Sequence, residues 1–221
     1  MIIRMLDLAV LLSFLLAPSI IAQQRGAGPR PNRPQSVPSA CTRSLGEGPE
    51  VRGLSLGQTE AQVLGMFPSL AKEKAAELGV TGYYHITPVG EEERNPPALR
   101  GVDMLRLSFL DGRLYYIVIT YREFEPSSVS DFVRQASMTL RLPSTGWKRE
   151  GSEAVLKCEG FSVWVQTGRG GGRVDYPGII ISDRNAEAEY KRRYKMREAE
   201  RQRQETERRR REEERRRVFK P

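Results

Sequence analysis

Long apolar runs, histidine and cysteine are all scarce in this chain of 221 residues, and each scarcity closes off a class of function. The longest apolar run, Leu8 to Ala22, has 15 residues, short of the roughly 18–20 that a membrane span needs. One histidine, His85, and two cysteines, Cys41 and Cys158, fall short of a structural zinc site. His85 lies in the apolar stretch Tyr83-Tyr84-His85-Ile86-Thr87 with no partner motif that would make it a general base. Gly168-Arg169-Gly170-Gly171-Gly172 lacks the Lys-Ser/Thr of a phosphate-binding loop. Glu91-Glu92-Glu93 lacks calcium-loop spacing. The expectation is a protein that is not an enzyme and carries neither cofactor nor metal.

The beginning of the chain reads as an export signal. Met1 to Asp7 holds Arg4, Leu8 to Ala17 is apolar, Pro18 breaks the run, and Ala22 offers a cleavage point before Gln23. No cysteine stands at that point, which argues against a lipoprotein. Residues 1–22 are therefore expected to be a signal peptide, and the mature chain to be secreted or periplasmic. In such a compartment the even pair Cys41 and Cys158 is expected to form a disulfide.

Charge is unevenly spread. The chain carries +8 overall, of which residues 184–221 contribute +7 and residues 23–40 contribute +3, leaving the middle slightly acidic. The basic character belongs to the flanks, so no specific nucleic-acid binding is expected of the domain; a basic tail can still contact anionic polymer or lipid. Residues 23–40 contain four Pro, two Gly and little apolar bulk. Such a segment buries too little surface to offset its ordering entropy and reads as a disordered linker.

Residues 41–183 carry the periodicities of an α+β domain. Thr59 and Gln62 have capping-box spacing, Val63, Leu64 and Phe67 share a helical face, and Pro68 ends the helix. A second short helix is expected from Ser69 through Ala71, Ala75 and Leu78 to Gly79. A strand is expected at Tyr83–Thr87, followed by a polar loop from Pro88 to Arg100. Val102–Leu110 and Arg113–Tyr121 flank Asp111-Gly112, the signature of a type I′ hairpin.

That turn sets Phe109 opposite Leu114. Strict alternation then places Leu105, Leu107 and Phe109 with Leu114, Tyr116 and Val118 on the core face. Tyr115, Ile117, Ile119 and Tyr121 fall on the other face. That face is either buried under another element or a partner-binding surface. Ser128 caps a helix with the stripe Val129, Phe132, Val133, Ala136 and Leu140, stopped by Pro143. A second hairpin pairs Ala154–Cys158 with Phe161–Gln166, and Ile179-Ile180-Ile181 is a last buried strand. The expected fold is an antiparallel sheet with helices on one face.

From Asn185 to Arg217, Glu and Arg alternate in short blocks. Glu187–Lys191, Glu189–Arg193, Glu205–Arg209, Glu207–Arg211, Glu212–Arg216 and Glu213–Arg217 are i,i+4 pairs. After Ala199 no apolar residue occurs until Val218, which excludes a coiled-coil seam. Residues 184–221 are expected to form a solitary charged helix or a disordered tail, dispensable for folding, with Tyr190 and Tyr194 docking its first turns if helical.

Gly53-Leu54-Ser55-Leu56-Gly57-Gln58-Thr59-Glu60-Ala61-Gln62-Val63-Leu64, with the hairpin Phe109-Leu110-Asp111-Gly112-Arg113-Leu114, resembles the β-lactamase-inhibitor-protein-like superfamily. The resemblance covers residues 51–121 and, in a degenerate form, the stretch to 182. It implies a helix pair followed by an antiparallel sheet, and binding of another envelope or secreted protein through the sheet face opposite the helices. In this chain that implicates Tyr115, Ile117, Ile119 and Tyr121. Gln58 stands where the family usually has Met, and the cysteine of the lipoprotein branch is absent.

Overall fold

The computed structural model describes residues 41–73, 78–88, 90, 96–168 and 176–218. The expected signal peptide and linker, the glutamate triplet and most of the glycine-rich loop lie outside them. Eight strands form one antiparallel sheet: β1 (Ala71–Lys72), β2 (Val80–Ile86), β3 (Val102–Leu110), β4 (Arg113–Tyr121), β5 (Lys148–Glu150), β6 (Glu153–Lys157), β7 (Phe161–Gln166) and β8 (Gly178–Asp183). Among the described residues three α-helices accompany it: α1 (Glu60–Met66), α2 (Val129–Thr139) and α3 (Arg184–Val218). The α+β architecture read from the sequence is the observed one.

Strand order is β1-β2-β3-β4-β8-β7-β6-β5, which gives the fold an internal symmetry. Each half is a helix followed by a four-strand meander whose first strand ends up at a sheet edge. The halves join where their last strands, β4 and β8, pair antiparallel from Tyr116↔Ser182 to Thr120↔Gly178.

Local chemistry explains the helices. Thr59 accepts from the Gln62 N–H, and the Gln62 side chain returns to the Thr59 N–H at 2.8 Å, satisfying two donors that the first turn leaves orphaned. Ser128 caps α2 by accepting from the Asp131 N–H at 3.1 Å. Phe132, Val133 and Ala136 face the sheet, where α2 lies against β6 and β7. The main core lies on this side. It gathers Val63 of α1 and Phe67 at its C-cap, Phe132 of α2, and Leu105, Leu107, Phe109, Leu114, Val163, Val165 and Ile181 of the sheet.

The second helix expected from Ser69 starts instead as a strand, and its stretch 74–77 lies outside the described residues. Leu70 turns into the core, Ala71 and Lys72 pair with Tyr84 and Tyr83, and the Glu73 N–H donates to Gly82 O at 2.8 Å. The open edge of β2 supplies backbone partners that a helical turn just after Pro68 would have left unmet.

Cys41 and Cys158 are joined in a disulfide. The bond fits an oxidising, extracytoplasmic compartment. The segment that follows Cys41 straps the end of β6 and β7, with the Gly160 N–H donating to Arg43 O at 3.2 Å. A Cβ on Gly160 would come within 2.2 Å of the Leu45 nitrogen, so the close approach of strap and hairpin requires glycine there. Among the described residues no helix is long and apolar enough to cross a membrane.

Candidate interaction surfaces

The four residues proposed for partner binding do not share a face. The Asp111-Gly112 turn forms as expected, with φ of 51° and 76° and with Leu110↔Arg113 and Phe109↔Leu114 paired. The next pair is Ser108↔Tyr116, so Tyr115 is a β-bulge. One extra residue reverses the alternation of the rest of the strand. Ile117 and Ile119, at 0% and 1% exposure, enter the main core opposite Leu107 and Leu105, while Tyr116 and Val118 pass to the outer face.

This corrects the expectation for Ile117 and Ile119, which have no surface to offer a partner. Tyr121 is half-buried against the core, its ring 6.1 Å from that of Phe124, and burial raises its hydroxyl pKa. Tyr115 does reach the outer face but is buried there.

The bulge marks a change of neighbours. Leu114 exchanges backbone bonds with the α1 lead-in, accepting from the Gly57 N–H at 2.7 Å and donating to Gln58 O at 2.8 Å. From Tyr116 onward the same edge of β4 pairs with β8. Tyr115 sits at the changeover, and no local pattern in β4 announces a second partner supplied by residues 57–58.

On the outer face, Val80, Leu110 and Tyr115 form a second apolar cluster covered by Tyr116, Ala186 and Tyr190. The covering element is the root of α3. Asp183 caps that helix, its Oδ1 accepting from the Asn185 and Ala186 N–H groups at 2.8 and 3.1 Å. Tyr190 stacks obliquely on Tyr115 with ring centroids 6.4 Å apart, as the expected docking of Tyr190 requires; Tyr194, next on that face, remains half-exposed. Burial, and then the neighbouring Tyr190, push the Tyr115 hydroxyl up to about 12.

Arg193 locks the root in place. Its two terminal nitrogens hold both carboxylate oxygens of Asp111 at 2.9 and 2.6 Å, one of them also donates to Leu78 O at 3.1 Å, and its Nε donates to Glu189 at 2.8 Å. The guanidinium hydrogen bonds hold Asp111 below the usual carboxylate range. Those from Arg192 and Arg193 lower Glu189 to about 2. Asp111 thus serves both the turn and the helix root, a second role that hairpin chemistry alone does not reveal.

Past the root, the outer face presents a row set by strand register: Tyr84, Arg106, Val118, Ile180, Trp164, Val155 and Lys148 lie side by side across seven strands. Val118 and Ile180 in its middle are buried. Tyr84 is 36% exposed, and Ile86, one step along β2, is 57% exposed beside half-buried Met104. Trp164 and Val155 are half-buried at the other end.

At the end of the sheet a polar network fixes loop to strand. Arg122 Nε donates to Asp103 Oδ1 at 3.0 Å and its Nη2 to Thr87 O at 2.7 Å, while Thr120 donates to Asp103 Oδ2 at 3.3 Å. His85 Nε2 lies 3.4 Å from the Thr87 hydroxyl. That hydroxyl donates to Val102 O at 2.7 Å. Among the described residues no group of three His, Cys, Asp or Glu side chains is placed to hold a metal ion.

The remaining surface is α3 itself: 35 residues, none of them buried, a length of about 52 Å. The expected pairs Glu187–Lys191, Glu189–Arg193, Glu205–Arg209 and Glu207–Arg211 form. Glu212 pairs back to Arg208 and Glu214 back to Arg210, because most of these glutamates have arginine one turn away in both directions. The periodicity behind this is a charge heptad. Residues 197–203, 204–210 and 211–217 each have Glu at the second and fourth positions and Arg at the fifth and seventh, a repeat hidden from any search for apolar seams.

Comparison of the chain with protein-family models, with curated proteins and with solved structures finds no match.

Proposed function

We propose that the chain is an exported, non-enzymatic protein-binding domain, and that its partner lies on the strip of outer sheet face left beside the α3 root. The observation that carries this is the exposure of Ile86 and Tyr84 at one end of a cross-strand row that runs on to Trp164 and Val155. Aromatic and large apolar side chains rimmed by charge are the composition of interface centres, and Lys148 and Lys157 supply charge at the rim. The disulfide supports work outside the cytoplasm.

A photo-crosslinking residue at Ile86 tests the reading in intact cells. It should yield one discrete adduct, lost on Trp164→Asp, while the same crosslinker at Met138, 67% exposed on α2, should yield none. Equal labelling from both positions would refute it. A second reading, in which the basic helix tethers the domain to anionic polymer or lipid, draws on the net +6 of α3. It predicts salt-sensitive sedimentation with phosphatidylglycerol vesicles or with an anionic cell-wall polymer.

A further inference from the structure

We infer that α3 beyond Arg193 is a rigid spacer that holds its far end at a set distance from the sheet, whether or not the outer face binds a partner. Three observations carry it. First, the helix is anchored at its first turns. Asp183, Tyr190 and Arg193 tie its first turns to β8, Tyr115 and Asp111, and these contacts join different strands, so they define a direction as well as an attachment. From Arg193 to Val218 the helix then runs about 37 Å.

Second, the free part stabilises itself. Arg201, Glu205, Arg209, Glu213 and Arg217 follow one another in steps of four with alternating sign. Arg203, Glu207 and Arg211 make a second such ladder, of which Arg211–Glu207 is formed, as Arg209–Glu205 is in the first. Pairs at this spacing stabilise an isolated helix without tertiary contacts. A helix of ordinary composition and no packing face would be marginal.

Third, the charge is built for stiffness rather than for polyanion capture. Each of the three heptads carries a single net positive charge. A polyanion would gain little from so small a surplus and would have to compete with the glutamates for the paired arginines. Nor is there an apolar seam that would recruit a second copy.

The heptads also supply a test that separates length from charge. Deleting residues 204–210 removes one repeat, leaves the ladder pattern intact and changes net charge by only one. With spin labels carried on bio-orthogonal side chains at Lys195 and Arg216 of the full chain, pulsed dipolar spectroscopy should give a narrow distribution near 31 Å. The deletion should shorten it by about 10 Å. Glu205→Pro should broaden it without altering the melt of the sheet domain. A flexible coil would instead give a broad distribution whose mean moves by only about 5 Å on deletion. A wild-type distribution as broad as that of Glu205→Pro would overturn the inference. So would one that narrows only when phosphatidylglycerol vesicles are added, since the helix would then be a membrane-ordered segment.

Discussion

The sheet domain and α3 solve the same problem, holding a chain in one conformation, by opposite means. In the domain the contacts are distant in sequence: β4 touches β8 some sixty residues on, and a disulfide spans 117 positions. In α3 beyond Arg197 the ion pairs are three or four residues apart. The domain should therefore fail cooperatively when one interior point is broken. The helix should lose order a turn at a time. Any substitution that spreads its effect from one region to the other measures how far the two are joined at the root.

The largest effect should come from the longest-range contact. Replacing Cys41 and Cys158 together by Ala should cost the domain about 4–5 kcal/mol, on the view that a cross-link of this span removes unfolded-state entropy. Urea unfolding of the reduced and oxidised forms checks it; a cost under about 1 kcal/mol would mean that the strap holds its place without the bond. Ile117→Ala should cost about 2–5 kcal/mol as a buried cavity. Ile86→Ala, more than half exposed, should stay within about 0.5 kcal/mol. If the two substitutions cost the same, the bulge at Tyr115 has been placed on the wrong side of the strand.

That bulge also shows where sequence reading ended. Both caps, the Asp111-Gly112 turn, the two hairpins and the disulfide pair were legible, because each depends on residues close in sequence or on a count. The face of β4 was not. Its residues are apolar on both sides, so alternation carried no information. The slip depends on Gly57 and Gln58 bonding to Leu114, a contact more than fifty residues distant in sequence. The candidate site moved accordingly from Ile117 and Ile119 to Tyr84, Ile86, Met104 and Trp164. Of these, Tyr84 and Ile86 lay within the expected strand at Tyr83–Thr87, but only register across β2 and β3 shows which of its sides faces out.

Truncation sharpens the boundary between the regions. Because Ala186 and Tyr190 cover Val80, Leu110 and Tyr115, residues 184–221 should not be dispensable as a block. Ending the chain after Asp183 should destabilise the domain by about 2–3 kcal/mol through re-exposed apolar surface. Ending it after Tyr194 should cost less than about 0.5 kcal/mol. Equal melting temperatures for the two truncations would show that the root contributes nothing to the domain.

Acid should loosen the root before the sheet unfolds. Glu189 and Asp111 are both held below their ordinary values by the arginines they bind. A depressed carboxylate favours the docked state fully above its ordinary value and loses that contribution as pH falls through its docked value. For Asp111, whose arginine comes from the other element, the window opens as pH falls below about 3.8; Glu189 is paired within α3 and keeps its arginines when the root lifts off. The near-ultraviolet circular dichroism of the Tyr115–Tyr190 pair should fade across it. Arg193→Ala should abolish that transition, leaving the sheet's own melt within about 2 °C of the parent. A transition unchanged by Arg193→Ala would place the titrating group elsewhere.

The smallest effect should be confined to the arm. Glu205 pairs with Arg209, and Arg201 stands one turn before it, so Glu205→Gln removes a ladder rung that serves two neighbours. Each such pair contributes about 0.2–0.5 kcal/mol, too little to register in the melt of the domain. The loss is local, and amide hydrogen exchange should report it: protection should fall over residues 198–218, which become more prone to fray, and stay unchanged in β3, β4 and β8. Raising the salt concentration to about 1 M contracts the screening length to about 3 Å. It should bring the parent closer to the variant, because what distinguishes them is an exposed ion pair. Arg209→Gln, which removes the same rung from its other end, should reproduce the pattern. If Glu205→Gln instead lowers protection in β8, or the difference survives high salt, then Glu205 acts through packing on the domain, and the contrast between a body held by distant contacts and an arm held by near ones no longer stands.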